Sequence, residues 1–345
     1  MLARFRARAT RGTARCVLAH PAAPSHSAGT AQGRTGVCEK AAGSGRPGSL
    51  PGVVTRLDEA AWRARAAAHR ARVERWTGPH RERRRRREAH PVLDFLFTYY
   101  SHRPAQLEQW HPGPDVLLLG AAPRAAYRTV DGGVVLDLAE HPDRLRTAAF
   151  VRALLAATAS RPPRLSCFGL HEWAMVYRTD APRHRTVPLR LGAAGTDAVV
   201  ESLPVHCTHH DAFRFFTAAA RPRNALAPTR DGQVANEQPG CLHATMDLYK
   251  WAYKLAPATP SELVADCFAL AVDVRELDMR ASPYDLAALG YEPVPIETPQ
   301  GKAAYAAAQR GFAARGQALR ARLLDALDGL EQAARPELSG SARRP

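Results

Sequence analysis

The sequence has no stretch of about 18 uninterrupted apolar residues, the length that a membrane-spanning helix needs. We therefore expect no membrane association. Cysteine is also scarce: the 345 residues include six, and the four in the body of the chain have no paired spacing. This excludes a disulfide-rich secreted fold and indicates a reduced, cytoplasmic protein.

Several catalytic signatures are missing as well. The chain contains neither the P-loop pattern GxxxxGK[ST] nor the nucleophile pattern GxSxG, so nucleotide hydrolysis on a P-loop and α/β-hydrolase chemistry lose their usual support. The zinc-protease pattern HExxH is absent too. Since no internal repeat is visible, a repeat architecture is not expected either.

Acidic residues are absent from the first 38 positions, and the formal net charge of +15 is distributed very unevenly. Residues 1–57 carry a net charge of +8 and residues 58–88 a net charge of +6, which leaves +1 for residues 89–345. Phosphate neutralisation supplies most of the affinity of an ordinary DNA-binding protein. The total charge is therefore no evidence that the body of the chain binds DNA.

The composition divides the chain into three parts. Residues 1–56 are rich in Ala, Arg, Gly, Ser and Pro, which favours a disordered or misannotated N-terminal extension with a true start near Val53 or Val54; a transit peptide has a similar composition. Residues 57–334 are expected to form one catalytic-type domain, and residues 335–345 a disordered tail. The arginine run from Arg83 to Arg87 is expected to be a mobile linker, with a phosphate-contacting arm or biased codon usage as alternatives.

Apolar spacings of three and four residues predict long helices. They indicate a first helix from Leu57 to Trp76 that ends at Thr77-Gly78-Pro79, and further helices beginning at Pro142, Ser261 and about Gly301. The short apolar runs 117–119 and 134–136 flank Asp131-Gly132-Gly133 and resemble a hairpin. The predicted fold is mainly α: a single helical domain with a minor β-hairpin element.

The segment Cys167–Arg178 combines acid–base side chains with aromatic ones. It is expected to enter a helix near Leu170. A carboxylate among aromatic rings tends to have a raised pKa, which suits general acid or base catalysis by Glu172 with His171 beside it. The alternative is a buried pair that completes hydrogen bonds in the core.

Two further segments carry candidate metal ligands. His206, His209 and His210 have spacings that a metal could use if the segment is helical or turned, although they could also act without metal or be structural. Cys241 and His243 lie at an expected helix N-terminus, where a thiolate is stabilised, so they could supply a nucleophile, complete a metal shell or simply pack. A divalent metal such as zinc is the candidate cofactor.

Eight stretches of the chain resemble a bacterial family named 3-methyladenine DNA glycosylases. The resemblance runs from about Leu57 to Leu330. The stretches are HPVLDFLFTYY, QLEQWHPG, CFGLHEWAMVYR, GTDAVVES, FRFFT, EQPGCLHATMDLYKWAYKL, DMRASPYD and PIETPQG. The chain lacks the glycine-rich helix-hairpin-helix with a following aspartate that marks one well-known glycosylase superfamily.

The resemblance implies hydrolysis of the N-glycosidic bond of an alkylated base that is flipped out of DNA. Glu172 or Asp211 would then activate water or stabilise the oxocarbenium-like sugar. The expected substrate-binding side chains, chosen to stack on or contact the cationic base, are Trp173, Tyr177, Arg178 and Trp251.

Two alternatives remain at this stage. One is a metal-dependent or His/Cys-based enzyme that acts on a small molecule, which the density of His, Cys and Glu in a neutral body favours. The other is a non-catalytic nucleic-acid-associated protein that uses Arg81–Arg87.

Overall fold

The computed structural model of the chain describes residues 55–130, 132–138 and 142–340, with the side chains of 142 and 332–340 left aside. The predicted N-terminal extension lies outside the described residues except for positions 55 and 56. The predicted tail lies outside them from residue 341 onward. All described residues belong to one unit.

Eleven α-helices and four short strands are present in the described part of the chain, together with 3-10 turns at Arg221–Arg223 and Ala287–Leu289. The strands are β1 (Thr55–Leu57), β2 (Val116–Leu119), β3 (Tyr127–Val130) and β4 (Gly133–Leu136). The helices are α1 (Glu59–Arg85), α2 (Phe95–Tyr99), α3 (Pro104–Glu108), α4 (Pro142–Ala159), α5 (Leu170–Ala174), α6 (Gly192–Ser202), α7 (His210–Phe213), α8 (Gln233–Asn236), α9 (Leu242–Leu255), α10 (Ser261–Arg280) and α11 (Pro299–Gly340). The prediction of a mainly α fold with a minor β element is confirmed.

Helix α1 begins at Glu59, two residues after the predicted start at Leu57, which lies in β1, and it ends later than predicted. Asp58 is its N-cap, and its Oδ1 accepts the Ala61 N–H at 2.7 Å. The prediction that Thr77-Gly78-Pro79 ends the helix is wrong, because α1 continues through Pro79 to Arg85. The turn after the proline is held by tertiary contacts, in which Asp94 binds the ring of buried His80 at 2.8 Å and the guanidinium of Arg83 at 3.0 Å.

These contacts also change the interpretation of the arginine run. Its first three members, Arg83–Arg85, form the last turn of α1 and are not a linker. Arg85 and Arg86 pair with Glu82. Arg81, which the nucleic-acid-associated alternative also uses, is held by Glu74 and Glu108. Much of the positive charge of this segment is therefore already balanced by neighbouring carboxylates.

The sheet is larger than the predicted hairpin. Its strand order is β1-β2-β4-β3, with β1 parallel to β2 and the other pairs antiparallel. The predicted pairing of 117–119 with 134–136 is present as β2 against β4, with Leu118 opposite Val134. Gly133 is required there, because a Cβ atom on it would overlap the Leu118 carbonyl. Neither β1 nor β3 is predicted by the sequence, although β3 directly precedes β4 in the chain and pairs with it.

Helices α9 and α10 pack against each other at the centre, and α11, α4 and α1 cover them. Helix α9 is buried on almost every side, although it carries His243, Thr245 and Asp247. Polar groups removed from water must find partners, so this helix draws other polar side chains into the core around it. None of the described helices is both long enough and apolar enough to cross a membrane.

Candidate functional site

Short helix α5 brings His171 into the core. The chain enters α5 through Phe168 and Gly169, which have φ angles of 48° and 75°. The His171 ring lies between two partners: Nε2 is 2.7 Å from Asp278 Oδ1, and Nδ1 is 3.3 Å from Cys167 Sγ. Burial by itself would lower the pKa of His171, but Asp278 and Cys167 together outweigh burial and raise it. Asp278 in turn has a lowered pKa, because His171, His243 and Arg275 together overcome the cost of burial.

Glu172 forms a second buried ion pair next to the first. Its Oε1 accepts a hydrogen bond from Arg275 Nη1 at 3.0 Å, and the same nitrogen lies 3.4 Å from Asp278 Oδ2. The guanidinium of Arg275 also covers the Phe95 ring at 3.7 Å from its centroid. Burial raises the pKa of Glu172, and the charge of Arg275 opposes this shift only in part.

A third group of buried charged side chains lies next to His243. His209 Nε2 is 3.2 Å from Glu237 and 3.4 Å from Asp247, and both carboxylates are almost fully buried. Burial acts to lower the pKa of His209, but these two carboxylates raise it to about 10. The three imidazoles form a row, since the His243 ring lies 4.5 Å from that of His171 and 5.4 Å from that of His209. Burial, together with the charge of His171, lowers the pKa of His243 to about 3.

Lys250 connects this polar core with the surface. Its Nζ donates to Asp247 Oδ2 at 2.9 Å and to Asp211 Oδ2 at 2.7 Å. Tyr100 donates its hydroxyl to the other oxygen of Asp247 at 2.7 Å. Although burial raises the pKa of Asp211, Lys250 more than offsets it, so the pKa is lowered overall.

A cleft of about 570 Å³ opens on the outer side of Asp211, between α4 and α9. Four basic side chains line it: Arg146, Arg230, Lys250 and Lys254. Phe150 contributes an aromatic ring that is 41% exposed, and the Trp251 ring, 5% exposed, packs against it at 5.6 Å. On the inner side, Asp211 also lines a much smaller cavity of about 10 Å³ that reaches Glu172 and His243.

The predicted catalytic residues thus lie at two depths. His171 and Glu172 are inside the core, whereas Asp211 is half-buried at the cleft. Of the four predicted substrate-binding residues, one lines the cleft and the other three do not. Trp251 lines the cleft, but Trp173 is fully buried and donates its indole N–H to the Ala281 carbonyl at 2.8 Å.

Tyr177 and Arg178 do not line the cleft. Both bind Glu201, with Tyr177 Oη 2.8 Å from its carboxylate and Arg178 Nη2 2.5 Å away. These contacts join α6 to the segment that follows α5. In the described part of the chain, Tyr177 and Arg178 therefore have a structural role.

Within the described residues, no three of the predicted metal ligands His206, His209, His210, Cys241 and His243 bring donor atoms close together. The reason is the local backbone: His206 and His209 lie in a non-helical segment before α7, so their spacing does not place them on one face. His206 is exposed and His210 lines the cleft. At Cys241 burial raises the pKa of the thiol, and the N–H groups at the start of α9 offset this only in part.

The candidate metal set that the structure does bring together is His171, His243 and Asp278. One donor atom of each lies within 4.8 Å of the other two. Asp278 and Arg275 were not predicted from the sequence as site residues. The sequence carries only a weak indication of them. Two charged residues three positions apart lie next to the apolar stripe of α10, and the structure buries that turn.

No protein-family model, no curated protein and no solved structure matches the chain. A function for the chain therefore has to be inferred from its residues and their geometry.

Proposed function

We propose that the protein is a DNA glycosylase that hydrolyses the N-glycosidic bond of an alkylated base, with Asp211 as the catalytic carboxylate. The observation that carries this proposal is the position of Asp211, held by Lys250 at the edge of a basic and partly aromatic cleft. The family resemblance of the sequence agrees with it.

The charge state of Asp211 suits the reaction. Its lowered pKa keeps the carboxylate ionised at neutral pH, so it can accept a proton from attacking water or stabilise positive charge on the sugar. A base alkylated on a ring nitrogen is cationic and leaves as a neutral molecule, which removes the need for a strong general acid. Since Asp247 and Asp211 outweigh burial and raise the pKa of Lys250, that side chain is a fixed cation and not a Schiff-base nucleophile.

The cleft offers contacts for both parts of a nucleotide. Arg230 and Lys254 can neutralise backbone phosphates, whereas Arg146 on the same face is paired with Asp143. Phe150 presents an open ring on which a cationic base can stack, and Trp251 supports that ring from behind.

Asp211 is a better candidate than Glu172. Both carboxylates are paired with a cation, but the cavity that reaches Glu172 has a volume of about 10 Å³, enough for one water molecule and not for a base, whereas Asp211 also faces the cleft of about 570 Å³. In this proposal His171 and Glu172 support the site from the core. DNA is the partner, and a cytoplasmic location is part of the proposal because Cys167, Cys207, Cys241 and Cys267 are all free thiols.

The test is release of methylated bases from alkylated duplex DNA by the purified chain. We expect the wild-type protein to release them and Asp211→Asn to lower the single-turnover rate by about 100-fold or more. Asp143→Asn is the matched control, because Asp143 lines the same cleft but pairs only with exposed Arg146 among the described residues. The proposal fails if the wild-type protein releases no base, or if Asp211→Asn is as active as Asp143→Asn.

A further inference from the structure

His171, His243 and Asp278 come from three different helices, α5, α9 and α10, and converge in the core. Each brings one donor atom within 4.8 Å of the other two, and all three side chains are buried. The tight packing of α9 against α10 fixes two of the three positions. Convergence of this kind, on rigid elements and away from solvent, is what a coordination site requires.

The donor chemistry is specific. Two imidazoles and one carboxylate suit divalent first-row transition metals, whereas Ca²⁺ and Mg²⁺ prefer shells made only of oxygen. Metal bonds of about 2.1 Å in a tetrahedral arrangement separate the ligand atoms by about 3.4 Å. His171 Nε2 and Asp278 Oδ1 are 2.7 Å apart, so a rearrangement of less than about 1 Å would admit an ion.

His243 gives an independent observation. Its side chain is 6% exposed, and its ring makes no hydrogen bond within the described residues. The ring lines the cavity of about 10 Å³ beside Glu172 and Arg275, so its nitrogen is available to a ligand there.

The other two residues carry the supporting contacts that metal ligands usually have. The second ring nitrogen of His171 lies 3.3 Å from Cys167 Sγ, which fixes the orientation of the ring. The second oxygen of Asp278 lies 3.4 Å from Arg275 Nη1. The second donor atom of each ligand is thus held by a neighbouring side chain, and the remaining donor atoms of His171 and Asp278 face each other.

We propose that His171, His243 and Asp278 bind one divalent first-row transition metal ion, with a further coordination position open to the small cavity beside Glu172. The site is distinct from the outer cleft and does not depend on glycosylase activity. It also differs from the ligand set that the sequence favoured, since His243 is the one residue common to both.

The first experiment uses the full chain, stripped with a chelator and then titrated with Zn²⁺ and with Co²⁺ in competition with a chromogenic chelator. We expect one equivalent to bind, and His243→Gln to weaken binding by more than about 100-fold. His102→Gln is the matched control, because His102 is also buried but binds Tyr249 at 2.9 Å. Circular dichroism checks that each variant is folded. Absence of binding by the wild-type chain, or unchanged binding by folded His243→Gln, overturns the proposal.

The second experiment needs no variant. X-ray absorption of the zinc-loaded wild-type protein should show two imidazole ligands and further oxygen or nitrogen scatterers. A sulfur shell at about 2.3 Å would instead place the ion on cysteine and overturn the assignment to His171, His243 and Asp278.

Discussion

The ammonium group of Lys250 lies 2.7 Å from the carboxylate of Asp211 and donates from the same nitrogen to Asp247. One side chain thus connects a residue of the outer cleft with a residue of the buried polar core. The lowered pKa values of both carboxylates arise in part from this cation, although burial acts in the opposite direction at each.

Lys250→Met should therefore affect both stability and catalysis. Asp247 would lose a buried partner, so we expect the free energy of unfolding to fall by about 3 kcal/mol. The pKa of Asp211 should rise towards its ordinary value, which would move the acidic limb of the kcat/KM profile to higher pH. Lys254→Met is the control, since Lys254 lines the same cleft but is exposed. An acidic limb that does not move in Lys250→Met would contradict the role of this pair.

The buried Glu172–Arg275 pair should matter more than a surface pair on the same helix. Glu172→Gln leaves Asp278, at 3.4 Å, as the one carboxylate paired with Arg275 among the described residues, and should lower the free energy of unfolding by about 2 kcal/mol. Glu276→Gln removes an exposed pair with Arg280 and should cost less than about 0.5 kcal/mol. Urea denaturation at neutral pH distinguishes them, and equal losses would count against a special role for the buried pair.

Stability should decrease in mild acid because of His102 and His111. Burial lowers the pKa of each to about 4, from an ordinary value of 6.5. Above pH 6.5 both are neutral in the folded and unfolded states and have no effect. As the pH falls from 6.5 to about 4 the unfolded chain takes up protons first, which destabilises the fold by about 3 kcal/mol per residue.

Urea denaturation across that range measures the effect, and His102→Gln should reduce the slope of unfolding free energy against pH. A slope unchanged by this substitution would show that His102 titrates normally. Because the ring of His102 also stacks on Tyr253, stability at pH 8 serves as the reference for each protein.

Two glycine substitutions should have opposite effects. Gly133→Ala places a methyl group against the Leu118 carbonyl, so we expect it to separate β2 from β4 and destabilise the protein by about 2 kcal/mol. Gly311→Ala has open space around it within helix α11 and should stabilise by about 0.5–1 kcal/mol. Thermal unfolding measures both, and a neutral Gly133→Ala would contradict the close strand contact.

The sequence predicted the helices well where apolar periodicity and helix-breaking prolines agreed. Ser261 to Arg280 is an example, since an apolar stripe is bounded by prolines at 260 and 283. The prediction from sequence failed at Pro79, because Thr77-Gly78-Pro79 locally favours a helix end. The contacts of Asp94 with His80 and Arg83 stabilise the turn after the proline, so the helix continues. Asp94 lies 14 and 11 positions from these residues, and no local pattern reveals such contacts.

The candidate site was predicted in part for a similar reason. Local clustering drew attention to His171, Glu172, Asp211 and His243. Asp278 lies 107 positions from His171, and only the packing of α5 against the end of α10 makes them neighbours. Conversely, His206 and His209 are close in sequence, but the non-helical segment before α7 separates their side chains.

Strand β1 and the cap of α1 set a limit on how far the chain can be shortened. Thr55–Leu57 pair with β2 at one edge of the sheet, and Asp58 follows immediately as the N-cap. A truncation that begins after Asp58 would expose the polar edge of β2 and leave the first turn of a 27-residue helix uncapped at the same time. Expression variants designed for crystallisation or assay should therefore start upstream of Thr55. Loss of residues 55–58 would leave the edge of β2 unpaired, and an unpaired strand edge promotes aggregation.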